Sequence, residues 1–540
     1  MPRFSIVIPT LRRTDTLRHA LATAAAQSYG DVEIVVQNNG RDPATEALLQ
    51  ELDDPRIRHF WSSSVLTITE NWEAALANAS GDLITFIGDD DGLFPDACRT
   101  AAEIVERAGV EIVSWQPFCY YWPNYARAEL GNRLVALVDY CPHVQILSSY
   151  NQLRRFYRFA LHYSQLPMLY NSFVRRRVIE RITQELGSYF FGWSPDVTSG
   201  IVNAAYCPQF ARLSSPLSMT GISHHSTGHN AFLANRGFVP ADRIERDFGT
   251  IRMDDRLVPA DNLEIFIADD MLLLQDRVPL LHGRVELDFY RLIQSVAAAI
   301  NDRPGTYDDT LAAVRQLADR HGIDLASIAI PAPVTQRRAP KFGAAMVGRN
   351  RVQFAIDGKA VPLATIADAI GLMKQIMAPT DGATIEIRNP TGADGVCARR
   401  GETLAFGVDG NGVPALANGW GEPEEWGTWS VAKRASMSFS VDPPATKAIR
   451  ADLRYRAFVS TAGPDLTVTC RVAGQDVAAW NCPDATPARI QELTIPAALV
   501  PDGVIDLELL FSDLRSPAEL GLSTDTRLLG IGVEAISFPA

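Results

Sequence analysis

The chain has 540 residues, a formal net charge of −13 and 47% hydrophobic residues. That length is too great for one ordinary core, so about two to four domains are expected. Lys and Arg are dispersed without a basic stripe, which argues against nucleic acid as the main partner.

Residues 1–118 alternate regularly. "FSIVIP" is a short apolar strand, and a helix follows, capped by Thr14 or Asp15, with Leu17, Leu21 and Ala24 at helical spacing. "VEIVVQ" is a second strand and "PATEALLQEL" a helix, with Pro43 suited to its first turn. "RIRHFW" is a third strand, "ITENWEAALANASG" a helix with Thr69 as its cap, and "LITFIG" a fourth strand. "PDACRTAAEIVERAG" is a further helix and "VEIVSWQP" a fifth strand. Apolar strands separated by helices of this length imply an α/β fold with a mostly parallel sheet covered on both faces. Residues 119–235 are less regular and rich in aromatics, and residues 260–325 read as helices. A Pro- and Arg-bearing linker, "IPAPVTQRRAP", precedes a short βα-like unit. From about residue 380, short alternating runs separated by Gly, Pro, Asp and Asn read as an antiparallel β-sandwich. The expected division is therefore 1–235, a helical extension 236–335, a small α/β linker unit 336–380, and a sandwich 381–540.

In open α/β sheets ligands bind beyond the carboxyl ends of the strands. That rule gathers Pro9-Thr10, Gln37-Asn38-Asn39 and Asp89-Asp90-Asp91 around one crevice. Read alone, "GDDDG" is a solvated turn, since Asp and Gly favour turns. At a strand's carboxyl end it also suits a hard divalent cation, which takes oxygen ligands and often shares substrate phosphates. Neither GxGxxG nor GxxxxGK[ST] lies in this region, so dinucleotide and P-loop readings do not apply.

"FSIVIPTLRR", "VEIVVQNNGRD", "ENWEAALANASGDLITFIGDDDGL" and "SPDVTSG" together resemble the family-2 glycosyltransferases of GT-A fold, over residues 1–235. The resemblance implies that the trio is a DXD motif binding a divalent metal (manganese or magnesium) and a nucleoside-diphosphate sugar. It makes Asp91 the best metal ligand with Asp89 as a second, also puts Asp89 at the ribose or donor sugar, and leaves Asp90 to the donor or to the turn. Pro9 and Thr10 would line the base and ribose pocket. Asn38 falls where the family often has an Asp facing the base. Asp196 resembles the family's catalytic base of inverting transfer, with Trp193 available to stack on a sugar. The competing reading is that Asp196 caps the helix starting at Val197.

"GISHHSTGHN" (221–230) fits a loop that closes over the diphosphate, with His225 or His224 as a metal ligand and Ser226 and Thr227 at phosphate oxygens. A zinc site and a polar surface loop are its alternatives. Asn71, opening the helix before the trio, is a further donor contact.

The QxxRW motif of processive synthases is absent, which favours transfer of one or a few sugars to a glycan or lipid-linked acceptor. The rear half is similar to sandwiches appended to bacterial surface-polysaccharide glycosyltransferases. There Trp420, Trp426 and Trp429 make either a carbohydrate platform or core packing, and Asp525 with Arg527 a buried pair.

The seven cysteines have no CxxC spacing and read as reduced thiols. With no signal-peptide pattern and no long apolar run, the expected location is cytoplasmic, with peripheral contact at the inner membrane face left open. The rival functions are an inactive carbohydrate-binding scaffold and a nucleotidyltransferase, the latter with Arg12-Arg13 as a faint phosphate anchor.

Overall fold

The computed structural model describes residues 2–125, 127–224, 226, 252–302, 305–334, 341–347, 350–380, 385–388, 396–408, 410–416, 419–421, 423–442, 447–459, 465–483, 488–500, 504–523 and 525–539. The chain forms two compact units. Residues 1–323 and 330–388 make the first, and residues 389–540 with the short segment 324–329 make the second.

The first unit opens as the sequence predicts, except that Arg13, not Thr14 or Asp15, occupies the cap position of the first helix and makes no side-chain cap bond. Strands β1 (Phe4–Thr10), β2 (Val32–Asn38), β3 (Ile57–Trp61) and β4 (Leu83–Phe86) alternate with helices α1 (Thr14–Ala25), α2 (Pro43–Leu52) and α3 (Ile68–Ala77). A short strand β5 (Gly92–Leu93), helix α4 (Ala97–Ala108) and strand β6 (Ile112–Trp115) follow. Every residue of β1 and of β2 is buried, as expected for strands covered on both faces. Fully burying side chains such as Ile6, Val7 and Ile8 contributes about 1.5–3 kcal/mol each. Asp42 caps α2 through the Thr45 amide, with Pro43 in the first turn. The cap of α3 is Thr67 rather than Thr69. Its hydroxyl accepts from the Glu70 amide while the Glu70 carboxylate accepts from the Thr67 amide.

The region read as irregular carries β7 (Phe118–Tyr121), β8 (Arg133–Asp139), β9 (His143–Ser148), α5 (Ser149–Tyr157), β10 (Ser172–Arg175), α6 (Arg176–Leu186), α7 (Pro195–Tyr206), β11 (Gln209–Leu213) and β12 (Ser218–Ile222). Helices α8 (Leu263–Arg277), α9 (Phe289–Ala298) and α10 (Tyr307–Arg320) follow in the same unit, the first breaking at Val278-Pro279. Strands β13 (Gly343–Val347) and β14 (Arg351–Asp357), helix α11 (Ile366–Met377) and strand β15 (Glu386–Arg388) complete the unit.

Among the described residues one sheet has nine strands in the order β15-β9-β11-β6-β10-β4-β1-β2-β3. β1 runs parallel to β2 and β4, and β2 parallel to β3. The five strands read from sequence are not all neighbours, because β10 inserts antiparallel between β4 and β6. A second, six-stranded sheet runs β13-β14-β8-β7-β12-β5. Helix α11 covers it through Ile366, Ile370 and Met373, against Phe118, Tyr120, Trp122 and Leu134. Residues 336–380 therefore do not stand apart as a linker unit, since β14 pairs with β8 along its full length. This sheet matters for the site because β5, just past the acidic trio, lies against β12.

The second unit is a sandwich. One sheet orders Cys397–Arg399, Arg434–Asp442, Val504–Phe511, Leu466–Val472 and Gln475–Cys482. The other orders Thr403–Ala405, Ile531–Ser537, Ile449–Ala457 and Arg489–Ile495. Inward residues such as Phe439, Leu453, Val468, Leu507 and Ile536 form its core. Trp420 packs against this core and donates its indole N–H to the Ser436 carbonyl, while Trp426 meets Trp429 edge to face at 5.2 Å. Asp525 and Arg527 do form an ion pair, but a partly exposed one, not the expected buried one.

Candidate active site

Three strands end together. Thr10 pairs with Asn38 at the ends of β1 and β2, and Val7 with Phe86 on β4, so the trio emerges beside Thr10. All three carboxylates are buried. Burying charge is costly unless each is paired or hydrogen-bonded, and each has its own partners here.

Asp89 accepts from the Thr10 hydroxyl at 2.7 Å and from the Arg13 guanidinium at 3.1 Å. Burial pushes the Asp89 carboxyl up, Arg13 opposes this, and Asp90 adds to it. Burial also pushes the Arg13 guanidinium down, but Asp89 and Asp90 outweigh it and its pKa is raised.

Asp90 accepts on Oδ2 from the hydroxyls of Ser223 and Ser226, both at 2.7 Å. Its backbone carbonyl accepts from the Trp122 indole at 3.0 Å.

Asp91 accepts on Oδ1 from the Gly221 amide and on Oδ2 from the Gly88 amide, each at 2.7 Å, and from the Tyr170 hydroxyl. Burial and the adjacent Asp90 push its carboxyl up to about 7.

Two glycines make this packing achievable. A Cβ at Gly221 would overlap the Asp90 carbonyl oxygen, and one at Gly88 would overlap the Tyr170 hydroxyl.

The structure thus divides the trio differently from the sequence reading. Both oxygens of Asp91, expected to be the best metal ligand, are engaged by backbone amides. Asp90 keeps Oδ1 without a hydrogen-bond partner among the described residues and turns Oδ2 toward two hydroxyls. Asn38 is also diverted. Its side-chain oxygen accepts from the Asp42 amide and its side-chain nitrogen donates to the Asp42 carbonyl, both at 2.9 Å, so it pins the β2–α2 loop rather than facing a base. Asn39 pins Leu66 in the same way. Pro9 and Thr10 are buried at the end of β1. Asn71 is buried on α3, and its side-chain oxygen accepts no hydrogen bond among the described residues. Ser226 reaches the site, His224 is exposed, and His225 and Thr227 lie outside the described residues.

Trp72 joins the trio to the second half of the site. It stacks on Tyr170 at 5.5 Å, and meets Phe86 and Phe190 at 5.3 Å each. Glu73 then accepts from the amides of Tyr189 and Phe190, both at 2.6 Å. This fixes the loop that leads into α7. The helix begins at Pro195 with Ser194 at the cap position, so Asp196 lies inside the first turn and is not the cap. Burial raises the Asp196 carboxyl above the ordinary range, against the amides of Val197 and Asp196 itself.

Sequence reasoning missed Ser223, Tyr170 and Glu73, and weighed Arg13 only as a phosphate anchor. The one local signal was glycine at 88 and 221, where close backbone approach is required.

Residues 5–181 match the family model described as Glycosyl transferase family 2. This segment is a family-2 glycosyltransferase domain. Over 103 residues the chain is 33% identical to a Campylobacter jejuni GalNAc(5)-diNAcBac-PP-undecaprenol beta-1,3-glucosyltransferase, covering 18% of this chain and 33% of that protein. Over 118 residues it is 29% identical to the succinoglycan biosynthesis protein ExoO of Rhizobium meliloti, covering 21% of this chain and 32% of that one. The chain therefore spans about a third of the length of these curated relatives. A crystal structure of S. aureus TarS 1-349 in complex with UDP-GlcNAc aligns at 13% identity with a TM-score of 0.35, covering 59% of this chain and 92% of that one.

The buried carboxylates at the ends of these strands offer oxygen ligands of the kind a hard divalent cation takes. Among the described residues no three His, Cys, Asp or Glu side chains form a ready-made metal cage. One carboxylate oxygen and neighbouring hydroxyls, with substrate phosphates to complete the shell, are what magnesium-like cations commonly use. Among the described residues no helix is long and apolar enough to cross a membrane.

Proposed function

We propose that the chain is a metal-dependent, inverting, non-processive glycosyltransferase. It moves a sugar from a nucleoside-diphosphate sugar to a glycan or lipid-linked acceptor in polysaccharide or glycoconjugate synthesis. The observation that carries this reading is the division of labour in the trio. Asp91 is spent on the backbone, Asp89 is held by Thr10 and Arg13, and Asp90 keeps Oδ1 without a hydrogen-bond partner among the described residues. Two relatives, a GalNAc(5)-diNAcBac-PP-undecaprenol glucosyltransferase and a succinoglycan biosynthesis protein, support the acceptor class.

Asp90, in place of Asp91, would hold manganese or magnesium, with His225 as a further ligand. When bound, the cation neutralises charge on the departing diphosphate. Asp89 faces the donor ribose or sugar, with its orientation set by Thr10 and Arg13, and Ser226 and Thr227 contact the phosphates. The Asn71 side-chain oxygen is a buried acceptor for a donor hydroxyl or N–H. Asp196 takes the proton of the acceptor hydroxyl as that oxygen bonds to the anomeric carbon. The anomeric carbon–oxygen bond to the diphosphate breaks, and its electron pair leaves with the nucleoside diphosphate. Inversion requires that Asp196 act on the sugar face opposite the diphosphate.

Calorimetric titration of UDP-glucose, UDP-galactose, UDP-GlcNAc and GDP-mannose, with and without manganese, tests the reading. At least one donor is expected to bind only with metal. No metal-dependent binding across the panel refutes it.

A further inference from the structure

Two adjacent carboxylates, Asp269 and Asp270, lie buried in the middle of α8, outside every motif above. Among the described residues no cation pairs with Asp270, and burial raises its carboxyl well above the ordinary range. A buried carboxylate without a counter-charge is an expensive choice for a helix that otherwise buries Ile265, Ile267, Met271 and Leu272. Its hydrogen bonds account for it. Oδ1 accepts from the Trp193 amide at 2.8 Å and Oδ2 from the Ser194 amide at 3.0 Å. Asp269 accepts on Oδ2 from the Trp193 indole at 2.7 Å and on Oδ1 from the Asp254 amide at 2.7 Å.

These bonds grip the turn that delivers Asp196. Gly192 within that turn has φ +62, and a Cβ there would overlap the Asp270 carboxylate. Only glycine allows both the left-handed backbone and the close approach. Ser194, the next residue held, occupies the cap position of α7, two residues before Asp196. Thr198 closes the turn from the other side by donating to the Phe191 carbonyl at 3.0 Å. No neighbouring charge is needed to explain the pair, because each carboxylate oxygen meets an N–H donor.

We infer that Asp269 and Asp270 are positioning residues for the catalytic turn. Through them the helical extension sets where Asp196 stands relative to the donor. The inference rests on Asp196 being the base.

The test uses the full chain and hydrolysis of the panel donors in manganese, with water as acceptor. Asp196→Asn is the reference and loses turnover. Asp270→Asn turns one acceptor into a donor facing a backbone N–H. Its turnover number falls on the order of 10–100-fold, since ångström-scale misplacement at a reacting group costs about that much. Its donor KM and manganese requirement stay within about threefold of the parent. Asp269→Asn gives the same split with a smaller fall.

Gly192→Ala strikes the same contact from the loop side and reproduces the Asp270→Asn result, which covers a variant that folds poorly. Parent-like turnover in folded Asp270→Asn and Gly192→Ala, with Asp196→Asn inactive, overturns the positioning role alone. Equal losses in turnover and donor affinity also overturn it, as that marks general disorder of the site. Full activity in Asp196→Asn overturns the assignment of the base, and the positioning role with it.

Discussion

Gly221→Ala tests whether the backbone beneath the trio sets donor binding. The added Cβ would overlap the Asp90 carbonyl oxygen and come within 2.7 Å of the Trp122 indole nitrogen. Neither neighbour can swing aside, since one is backbone and the other is hydrogen-bonded to it at 3.0 Å. The strand must therefore move away from the trio. That endangers two bonds, the Trp122–Asp90 bond and the 2.7 Å bond from the Gly221 amide to Asp91. The first contributes about 1 kcal/mol, and the second, to a charged acceptor, about 1.5–3 kcal/mol. A local loss of about 2.5–4 kcal/mol follows, with Asp90 displaced from its serine partners. Metal-dependent donor affinity, read by calorimetry in manganese, is expected to fall on the order of 10–100-fold. The first melting transition should drop by roughly 5 °C. Gly30→Ala is the control, because a Cβ there meets nothing within 4 Å. Donor affinity in Gly221→Ala equal to that in Gly30→Ala would refute the reasoning.

Asp90→Asn is expected to remove metal-dependent donor binding, by 100-fold or more on the scale of about 10–100-fold seen for outer-shell changes. Its melting temperature should not fall, because one of three crowded buried carboxylates is neutralised. Retention of donor affinity would return the metal to another group.

On the proposed mechanism, turnover should rise with pH along an acid limb set by Asp196. Its folded pKa lies above the ordinary carboxylate value of about 3.9, with burial as the cause and Tyr163 as a titratable neighbour, so the base is protonated and idle below that limb. A limb at or below the ordinary value in the pH profile of donor hydrolysis would contradict this.

Glu33 gives a stability test away from the site. Burial pushes its carboxyl up, but hydrogen bonds from Ser5, Ser80 and Arg58 win and hold it down at about 2. The lowered folded pKa stabilises the fold above the unfolded value, and that stabilisation is lost as pH falls toward 2. Discounted for partly exposed Arg58, it amounts to about 2–3 kcal/mol. Urea melts of Glu33→Gln should show this loss at pH 7, with the gap to the parent narrowing in acid. An unchanged gap would rule out the linkage.

The sequence by itself determined β1 to β4, their helices, and the acidic trio at a strand's carboxyl end. It also picked out Asp196 beside a proline at a helix start. These features are local. Apolar runs, cap residues and turn chemistry act between residues that are close in the chain, so their pattern is written along it. What each polar side chain does was decided by the tertiary structure. Asp91 is bonded to Gly221, 130 residues further on, and Asp90 to Ser223 and Ser226, partners that the linear reading does not contain. Asn38 was legible as a residue of the crevice, but its bonds to Asp42 take its side chain out of it. Asp269 and Asp270 belong to the Trp193 turn only because α8 folds back on α7. β10 enters the sheet antiparallel, and β14 extends β8, through pairings between distant segments. Hydrogen-bond partners follow position in space, and for a buried carboxylate the choice of partner fixes whether it holds the backbone or keeps an oxygen for a ligand.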